Sequence, residues 1–557
     1  MPTCELCATS FSVSPQEKAV CDAKGFVTQP LCFVCRQKQR MAFRNGRKLY
    51  RRKCDFTGTE IISNYAPGPK GASLRAKPQP VYCSEAWYGD GWDALSYGRP
   101  FDFSRPFFEQ FHELVSAVPR LALTNIRPEN SDFCNMCEGN KNSYMVFGGD
   151  FNEDVLYGEL CMRNRNAVDC DFSNDNEQCY ETGSSFNCYG CRFTFDSKNC
   201  TGCAFISDCI GCHDCILCTN LAQKSFCIQN EQLTKEEYEK CKKDLLNGTW
   251  SRQENNWREF LTLLGKRIVK YAHILNAENC TGDYIHNSKN CRHCFDVWDC
   301  EEVTDTVLAV KGKNIVNSGF VGHQMELCYN IQTGIATYDS ACCFSVFDSQ
   351  NVDYCDWILN SQHCFGCASL NKKRHCILNT QYSETDYRDL RGKIIEHMKR
   401  TGEWGEFFPR TSSSFGYNES TANDYFPMQR EQAVAEGFSW NDVPEEVSSV
   451  QKIIPAGKLP DAIGDVPDDI LNWAIRCSVS DRPFRIVKQE LDFYRAHRIP
   501  VPHEHPDERY RRRFSLKNPK KLWSRQCQKC GKAVETTYAP ERTEKVYCDK
   551  CYLSEVY

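Results

Sequence analysis

The sequence predicts a mainly β protein. Two cysteine-laddered parallel β-helix (solenoid) blocks with coils of about 21 residues are expected, capped by short helices and flanked by terminal zinc-ribbon and treble-clef modules. Three observations predict it. Cys170, Cys191 and Cys212 are 21 residues apart, as are Cys179 and Cys200, Cys188 and Cys209, Cys343 and Cys364, and Cys355 and Cys376. Short cassettes such as SFNCYGCRF, SKNCTGCAF, NSKNCRHCF and NSQHCFGCA recur, mixing Ser, Asn and Gly with Cys and aromatics as short strands joined by tight turns require. Paired C-x2-C motifs stand at both ends.

The terminal motifs set the outer boundaries. Cys4, Cys7, Cys32 and Cys35 offer four thiolates to one tetrahedral ion, and the helix-like RQKQRMAFRNGRK that follows makes 1–47 a treble-clef finger with a basic helix. Cys21 is a surplus thiol, read as packing. Cys527, Cys530, Cys548 and Cys551 have zinc-ribbon spacing, so 509–557 reads as a basic segment and C-terminal ribbon. Two Zn2+ per chain follow. Offset by 473 residues, KLYRRKCDFTG and YAP (48–58, 65–67) repeat KLWSRQCQKCG and YAP (521–531, 538–540), with Thr57 at the station of Cys530 and Ala86 at that of Cys551. Residues 48–100 are therefore expected to be a degenerate, metal-free ribbon with an enlarged loop at 68–80. CSVSDRPF (477–484), with Ser480 at the second knuckle position, reads as a further relic within 401–508, a linker and small α/β region.

Between the ends, 101–132 reads as a docking helix and linker, with Phe107, Phe108, Phe111, Leu114 and Val115 at helical spacing behind Ser104 as N-cap. The first solenoid spans 133–233 and the second 277–382. Residues 215–238 match 364–387 without a gap, through to a helix opened by Thr234 with Glu237 and by Ser383 with Asp386. That gives capping and bridging helices at 234–276 and a capping helix at 383–400. Cysteine suits a narrow interior as a small apolar filler, and Asn suits left-handed corners. A competing reading places an iron–sulfur cluster on Cys209, Cys212, Cys215 and Cys218, although ferredoxin runs usually end C-x3-C-P. His213 and His293 are expected to point outward from turns.

These motifs together, with FDFSRPFFEQF, NKNSY, PFRIVKQELDFYR and KVYCDKCYLSEVY, resemble a family of uncharacterised Cys-rich zinc-ribbon proteins of uncultivated bacteria. The resemblance spans nearly the whole chain; no activity is established for that family, so it implies architecture and zinc but no chemistry.

Composition bounds the function. The 38 cysteines in 557 residues are too many, in too long a chain, for a disulfide framework replacing a core. The N-terminus lacks a secretory signal and no window approaches 18 apolar residues, so a cytoplasmic protein without a membrane span is expected. Net charge is −5, yet residues 1–53 and 509–557 each carry +8, which leaves −21 on the middle. Basic runs with interleaved aromatics suit phosphate and base contact, pointing to RNA or a ribonucleoprotein through Arg36, Arg40, Arg44, Arg47, Arg51, Arg52, Arg511, Arg512, Arg513, Lys520 and Lys521. The bland reading is a basic face covering an acidic neighbour. No catalytic signature is present, and scattered acids such as Asp150, Glu153, Asp154 and Asp169 read as solvation rather than a site. The expectation is a non-enzymatic zinc-binding scaffold that engages nucleic acid. Its alternatives are a structural, self-associating protein using the solenoid surface, and an iron–sulfur or thiol redox protein.

Overall fold

The computed structural model describes residues 1–67, 79–443, 450 and 452–556; most of the enlarged loop at 68–80 therefore lies outside the described residues. Strand dominates, in two large sheets. One runs from Tyr144–Phe147 to Glu231–Gln232 through nine strands, the other from Ile274–Leu275 to Thr380–Gln381 through thirteen.

The register corrects the expected coil length. Tyr144 pairs with Leu156, and the same ladder continues in parallel through Val168, Tyr180, Arg192, Ala204, Ile216 and Ile228, a step of 12 residues each time. The second sheet also steps by 12, with an 11-residue step at Ile274–Ile285 and a 13-residue step at Gly319–Gln332. The reason lies in the local backbone. Every third residue sits in the left-handed region, as at Asn187, Gly190, Phe193, Asp196, Asn199 and Gly202, so the chain bends after each triplet and four triplets return it to the same ladder. Inward side chains thus recur every three residues, and 21 is a multiple of three that is not a multiple of twelve. Asn187 and Asn199 do occupy left-handed corners as expected.

The inward residues are more than filler. The Ser185 hydroxyl donates to the carbonyls of Gly183 (3.0 Å) and Thr194 (3.0 Å), and Thr337 donates to Ile335 (3.0 Å) and Val346 (3.2 Å). The Cys200 thiol reaches the same two stations, Lys198 (3.3 Å) and Cys209 (3.6 Å). Cysteine here is a small donor that ties one rung to the next, and burial favours its neutral form, pushing Cys170 and Cys328 up to about 12. A column of Asn140, Asn152, Asn164 and Asn176 does related work, each amide oxygen accepting from the backbone N–H twelve residues on, until Cys188 replaces it.

Helices cover the ladders. Lys235–Leu245 follows a capping box on Thr234 and Glu237, and Glu384–Thr401 follows Ser383, as expected. Trp250–Leu264 lays Trp257 and Phe260 against Phe193, Phe195 and Phe205. The docking helix is Phe107–Ala117, but Ser104 does not cap it; the Glu403 carboxylate accepts from the N–H groups of Phe107 (2.9 Å) and Phe108 (2.7 Å). Among the described residues no helix is long and apolar enough to cross a membrane.

Candidate metal centres

One knuckle geometry occurs four times. The antiparallel pairs Thr3–Ser10, Lys53–Glu60, Arg476–Pro483 and Gln526–Ala533 each precede a cysteine: Cys4, Cys54, Cys477 and Cys527. The carbonyl of each accepts from the N–H four residues on, at Ala8, Gly58, Asp481 and Gly531, all with φ between 57° and 75°. The residue after each cysteine donates to a second segment, at Pro30, Val81, His503 and Val546. Two positions beyond those acceptors stand Cys32, Cys83, His505 and Cys548, each leading directly into a helix.

Two of the four gather a complete ligand set. The sulfurs of Cys4, Cys7, Cys32 and Cys35 all lie within 4.8 Å of one another, and so do those of Cys527, Cys530, Cys548 and Cys551. The Cys7–Cys32 separation is 3.6 Å and the Cys530–Cys548 separation 3.7 Å. A tetrahedral ion with Zn–S bonds of about 2.3 Å requires sulfur–sulfur edges of about 3.8 Å, so both sets fit a four-coordinate thiolate-bound ion. Burial works against a charged Cys527, but backbone N–H groups of Cys548, Cys530 and Lys529 outweigh it and bring the thiol down to about 6.

The other two knuckles keep the fold without the ligands. At 48–100 the stations hold Cys54, Thr57, Cys83 and Ala86. At 477–508 they hold Cys477, Ser480, His505 and Glu508, where the His505 Nδ1 accepts from the Asp507 N–H (3.1 Å) and Glu508 pairs with Arg511 (2.5 Å). The offset of 473 reaches further than 48–67. Adding 473 to the bounds of Pro15–Lys24 and Phe33–Met41 gives Lys488–His497 and Pro506–Phe514, and left-handed Gly25 becomes left-handed Arg498. Residues 1–67 and 474–540 are therefore two copies of one stretch, and with the knuckles at Cys83 and at Cys548–Cys551 each completes a two-module arm, the first arm keeping four thiols in its first module and the second in its second.

Each arm buries its basic helix on the ladder block nearer the opposite end of the chain. Arg36 pairs with Glu17, whose Oε1 accepts from the Tyr329 hydroxyl (3.3 Å); Arg40 donates to Asn330 Oδ1 (2.9 Å), and Arg44 to Thr333 Oγ1 (3.1 Å). Adding 473 to those three positions gives Arg509, Arg513 and Lys517. Arg509 contacts Glu490 (3.4 Å) and Asp169 (3.0 Å), Arg513 contacts Glu181 (3.0 Å) and Asp171 (2.6 Å), and Lys517 donates to Ser184 Oγ (3.3 Å). Glu181 and Ser184 are themselves 149 residues before Asn330 and Thr333, the offset that relates 215–238 to 364–387.

This placement leaves few of the residues expected to contact nucleic acid at the surface. Arg36, Arg40, Arg44, Arg513 and Lys520 are at most 4% exposed, Lys520 being paired with Asp296. Arg47 is held by Glu159 (3.1 Å) and stacks on Tyr510, Arg512 is held by Glu181 (2.6 Å) and Glu504 (2.9 Å), and Arg52 by Asp55 (2.8 Å). Arg51, Arg511 and Lys521 remain exposed. The acids of the middle attract the basic ends within one chain, and a one-dimensional charge count does not reveal which partner covers which run. The Asp169 carboxylate, read from sequence as solvated, is fully buried in this network.

Cys209, Cys212, Cys215 and Cys218, the iron–sulfur candidates, face inward on successive triplets, and each donates to carbonyls, Cys218 to Ile216 (3.2 Å) and Cys227 (3.6 Å) for example. His213 is exposed, whereas His293 turns to Asp305 (Nδ1 to Oδ1, 2.7 Å) and packs on Phe33. Cys21 is buried and donates to the Tyr329 hydroxyl (3.8 Å). A third converging group, Asp196, Asp208 and His273, was not expected. Its members already have partners: Tyr284 donates to Asp196 (2.5 Å), Arg267 pairs with Asp208 (3.3 Å), and His273 Nδ1 lies 2.9 Å from Asp283. Burial disfavours a charged His273, but Asp283 and Asp208 outweigh it and hold the ring protonated, which occupies the nitrogens a metal would need.

No protein-family model matches the chain, and no curated protein matches it. Among solved structures it is similar to a putative acetyltransferase from Desulfovibrio desulfuricans G20, at 8% identity over 47% of this chain and 68% of that one, with a TM-score of 0.10. A likeness at that level carries no argument about fold or activity.

Proposed function

We propose that the protein is a non-enzymatic scaffold in which two zinc-bound Cys4 modules hold duplicated terminal arms onto two β-solenoids with 12-residue coils. The carrying observation is that Arg40 and Arg44 of one arm, and Arg513 and Lys517 of the other, dock at matching stations on different ladders. Zinc supplies cross-linking without redox chemistry, and four thiolates close its coordination sphere, as structural sites require. The resemblance to uncharacterised zinc-ribbon proteins agrees with that choice of ion. Cover for acidic ladders accounts for the basic runs better than phosphate contact does, since most of the basic side chains are engaged inside the chain. The C-terminal module also extends the scaffold directly, its strand Lys545–Tyr547 pairing in parallel with Ile268–Lys270.

Metal analysis of anaerobically purified protein tests this. Two zinc per chain and no visible absorption are expected, falling to one zinc in Cys4→Ser and in Cys527→Ser. Faster hydrogen exchange is expected at 329–334 in the first variant and at 268–270 in the second. Iron with absorption near 400 nm, or unchanged exchange after zinc loss, would refute the scaffold reading.

A further inference from the structure

We propose that Cys54 and Cys83 form a reversible disulfide that staples the two knuckles of the metal-free ribbon, in place of the thiolate cluster its C-terminal counterpart retains. Cys54 stands at the station of Cys527 and Cys83 at that of Cys548, two sulfurs that converge within 4.8 Å in the C-terminal module. The Cys83 N–H donates to Cys54 Sγ at 3.3 Å and the Thr57 N–H at 3.4 Å, so the sulfur lies against the start of the second knuckle. With Thr57 and Ala86 at the other two stations, one thiol stands on each knuckle. Two thiolates are too few to close a structural metal site, but one from each side is what a covalent staple needs.

The two thiols differ in a useful way. Cys83 is half-buried, whereas Cys54 is 1% exposed, so a small oxidant meets Cys83 first. Burial works to raise Cys54, but the Thr57 side chain and the N–H groups of Cys83, Thr57 and Phe56 outweigh it and bring it to about 7, which keeps a nucleophilic thiolate fraction at neutral pH. With a peroxide as oxidant, the Cys83 sulfur takes one oxygen as the O–O bond breaks, giving a sulfenic acid and one water. Cys54 then attacks the Cys83 sulfur; the S–S bond forms, the S–O bond breaks, and the departing hydroxide leaves as water with the Cys54 proton. Two thiols and one peroxide yield one disulfide and two waters. Ladder thiols such as Cys170 and Cys328 are shielded from the same reagent by burial and by pKa values pushed up to about 12, whereas Cys280 is half-buried and is the ladder thiol that competes with Cys83.

The test uses the full-length protein, purified anaerobically, treated with about one equivalent of hydrogen peroxide, alkylated, digested without reductant and mapped by mass spectrometry. A Cys54–Cys83 linked peptide is expected as the main product. It should disappear on adding dithiothreitol and be absent from Cys83→Ser, with metal content unchanged. Because the wild-type map stands without any variant, a Cys83→Ser protein that fails to fold does not weaken it. Alkylated Cys54 and Cys83 after one equivalent would overturn the proposal. So would oxidation first at Cys280 and Cys291, or at the terminal clusters with metal release.

Discussion

Arg40 and Arg513 occupy equivalent positions in the two arms, yet their surroundings predict opposite responses to replacement by methionine. Arg513 is 3% exposed and contacts Asp171 (2.6 Å), Glu181 (3.0 Å) and Asp169 (3.1 Å). Arg509 and Arg512 also serve Asp169 and Glu181, but the ion pair of Asp171 is with Arg513. Arg513→Met therefore strands a carboxylate that is 2% exposed, and breaking a buried pair in this way costs about 3–5 kcal/mol. Arg40 faces the neutral Asn330 instead, with Nε and Nη2 unpartnered. Burial, reinforced by Arg36, holds its pKa at about 9 against an ordinary 12.5, which corresponds to a penalty on the order of 5 kcal/mol for keeping the charge. Arg40→Met removes that penalty and retains the packing of the stem, so its effect is expected to be neutral to stabilising. A chain of several units does not give one unfolding transition, so hydrogen exchange at 168–184 and 329–334 reads the two docking sites separately. Faster exchange at 168–184 in Arg513→Met and unchanged or slower exchange at 329–334 in Arg40→Met are expected. Equal loosening in both would show that size, not charge complementarity, fixes the arms.

The ladder thiols and the His273 cluster give two further expectations. Cys203 donates to Thr201 (3.5 Å) and Cys212 (3.5 Å), so Cys203→Ser should cost less local stability than Cys203→Ala, which loses both bonds and leaves a void costing about 1–2 kcal/mol; hydrogen exchange at 192–216 that is slower in the alanine than in the serine variant would refute the donor role. His273, raised above its ordinary 6.5, contributes stability that is complete below that value and is lost as pH rises through its folded pKa. Asp283, whose burial is outweighed chiefly by His273, is lowered to about 2 and contributes stability present above 3.8 and lost as pH falls toward 2. Protection at 282–286, taken relative to the intrinsic exchange rate at each pH, should therefore be greatest between about pH 4 and 6.5, and His273→Gln should flatten the alkaline limb.

What the sequence made legible is what a local pattern encodes. The C-x2-C pairs and the 473-residue repeat of KLYRRKC and KLWSRQC place four knuckles, because the turn after each cysteine is set by a few neighbouring residues and a left-handed fourth position. The repeat continues upstream as Glu17 with Glu490 and Arg36 with Arg509 at the same spacing, a signal present in the chain but diluted by the change of Cys32 to His505 and Cys35 to Glu508. The ladder period was hidden for a different reason. When every third position points inward, any multiple of three aligns cysteine with cysteine, and only the hydrogen-bonded pairing at 12 separates the true coil from its harmonics. Which acid covers which base was hidden too, since Arg513 and Asp171 are 342 residues apart and their meeting depends on the docked arm.

The four modules differ in what packs against their knuckles. In the first arm the second module rests on a local aromatic cluster, Tyr82, Trp87 and Trp92 with centroids 5.6–5.8 Å apart, which supplies the burial that a small ribbon otherwise lacks. In the second arm the first module rests on Arg509, Glu490 and Asp169, all fully buried, with Tyr157 and Tyr494 donating to Glu490. Between their knuckles the modules that keep four thiols pack few residues: Cys4–Cys35 packs on Leu31 and a few half-buried neighbours, and Cys527–Cys551 on Val534, Tyr538 and Val546, although the first also carries the buried Glu17–Arg36 pair that corresponds to Glu490–Arg509. An ion held by four thiolates would cross-link the two knuckles where the core between them is smallest, at Cys4–Cys35 and Cys527–Cys551.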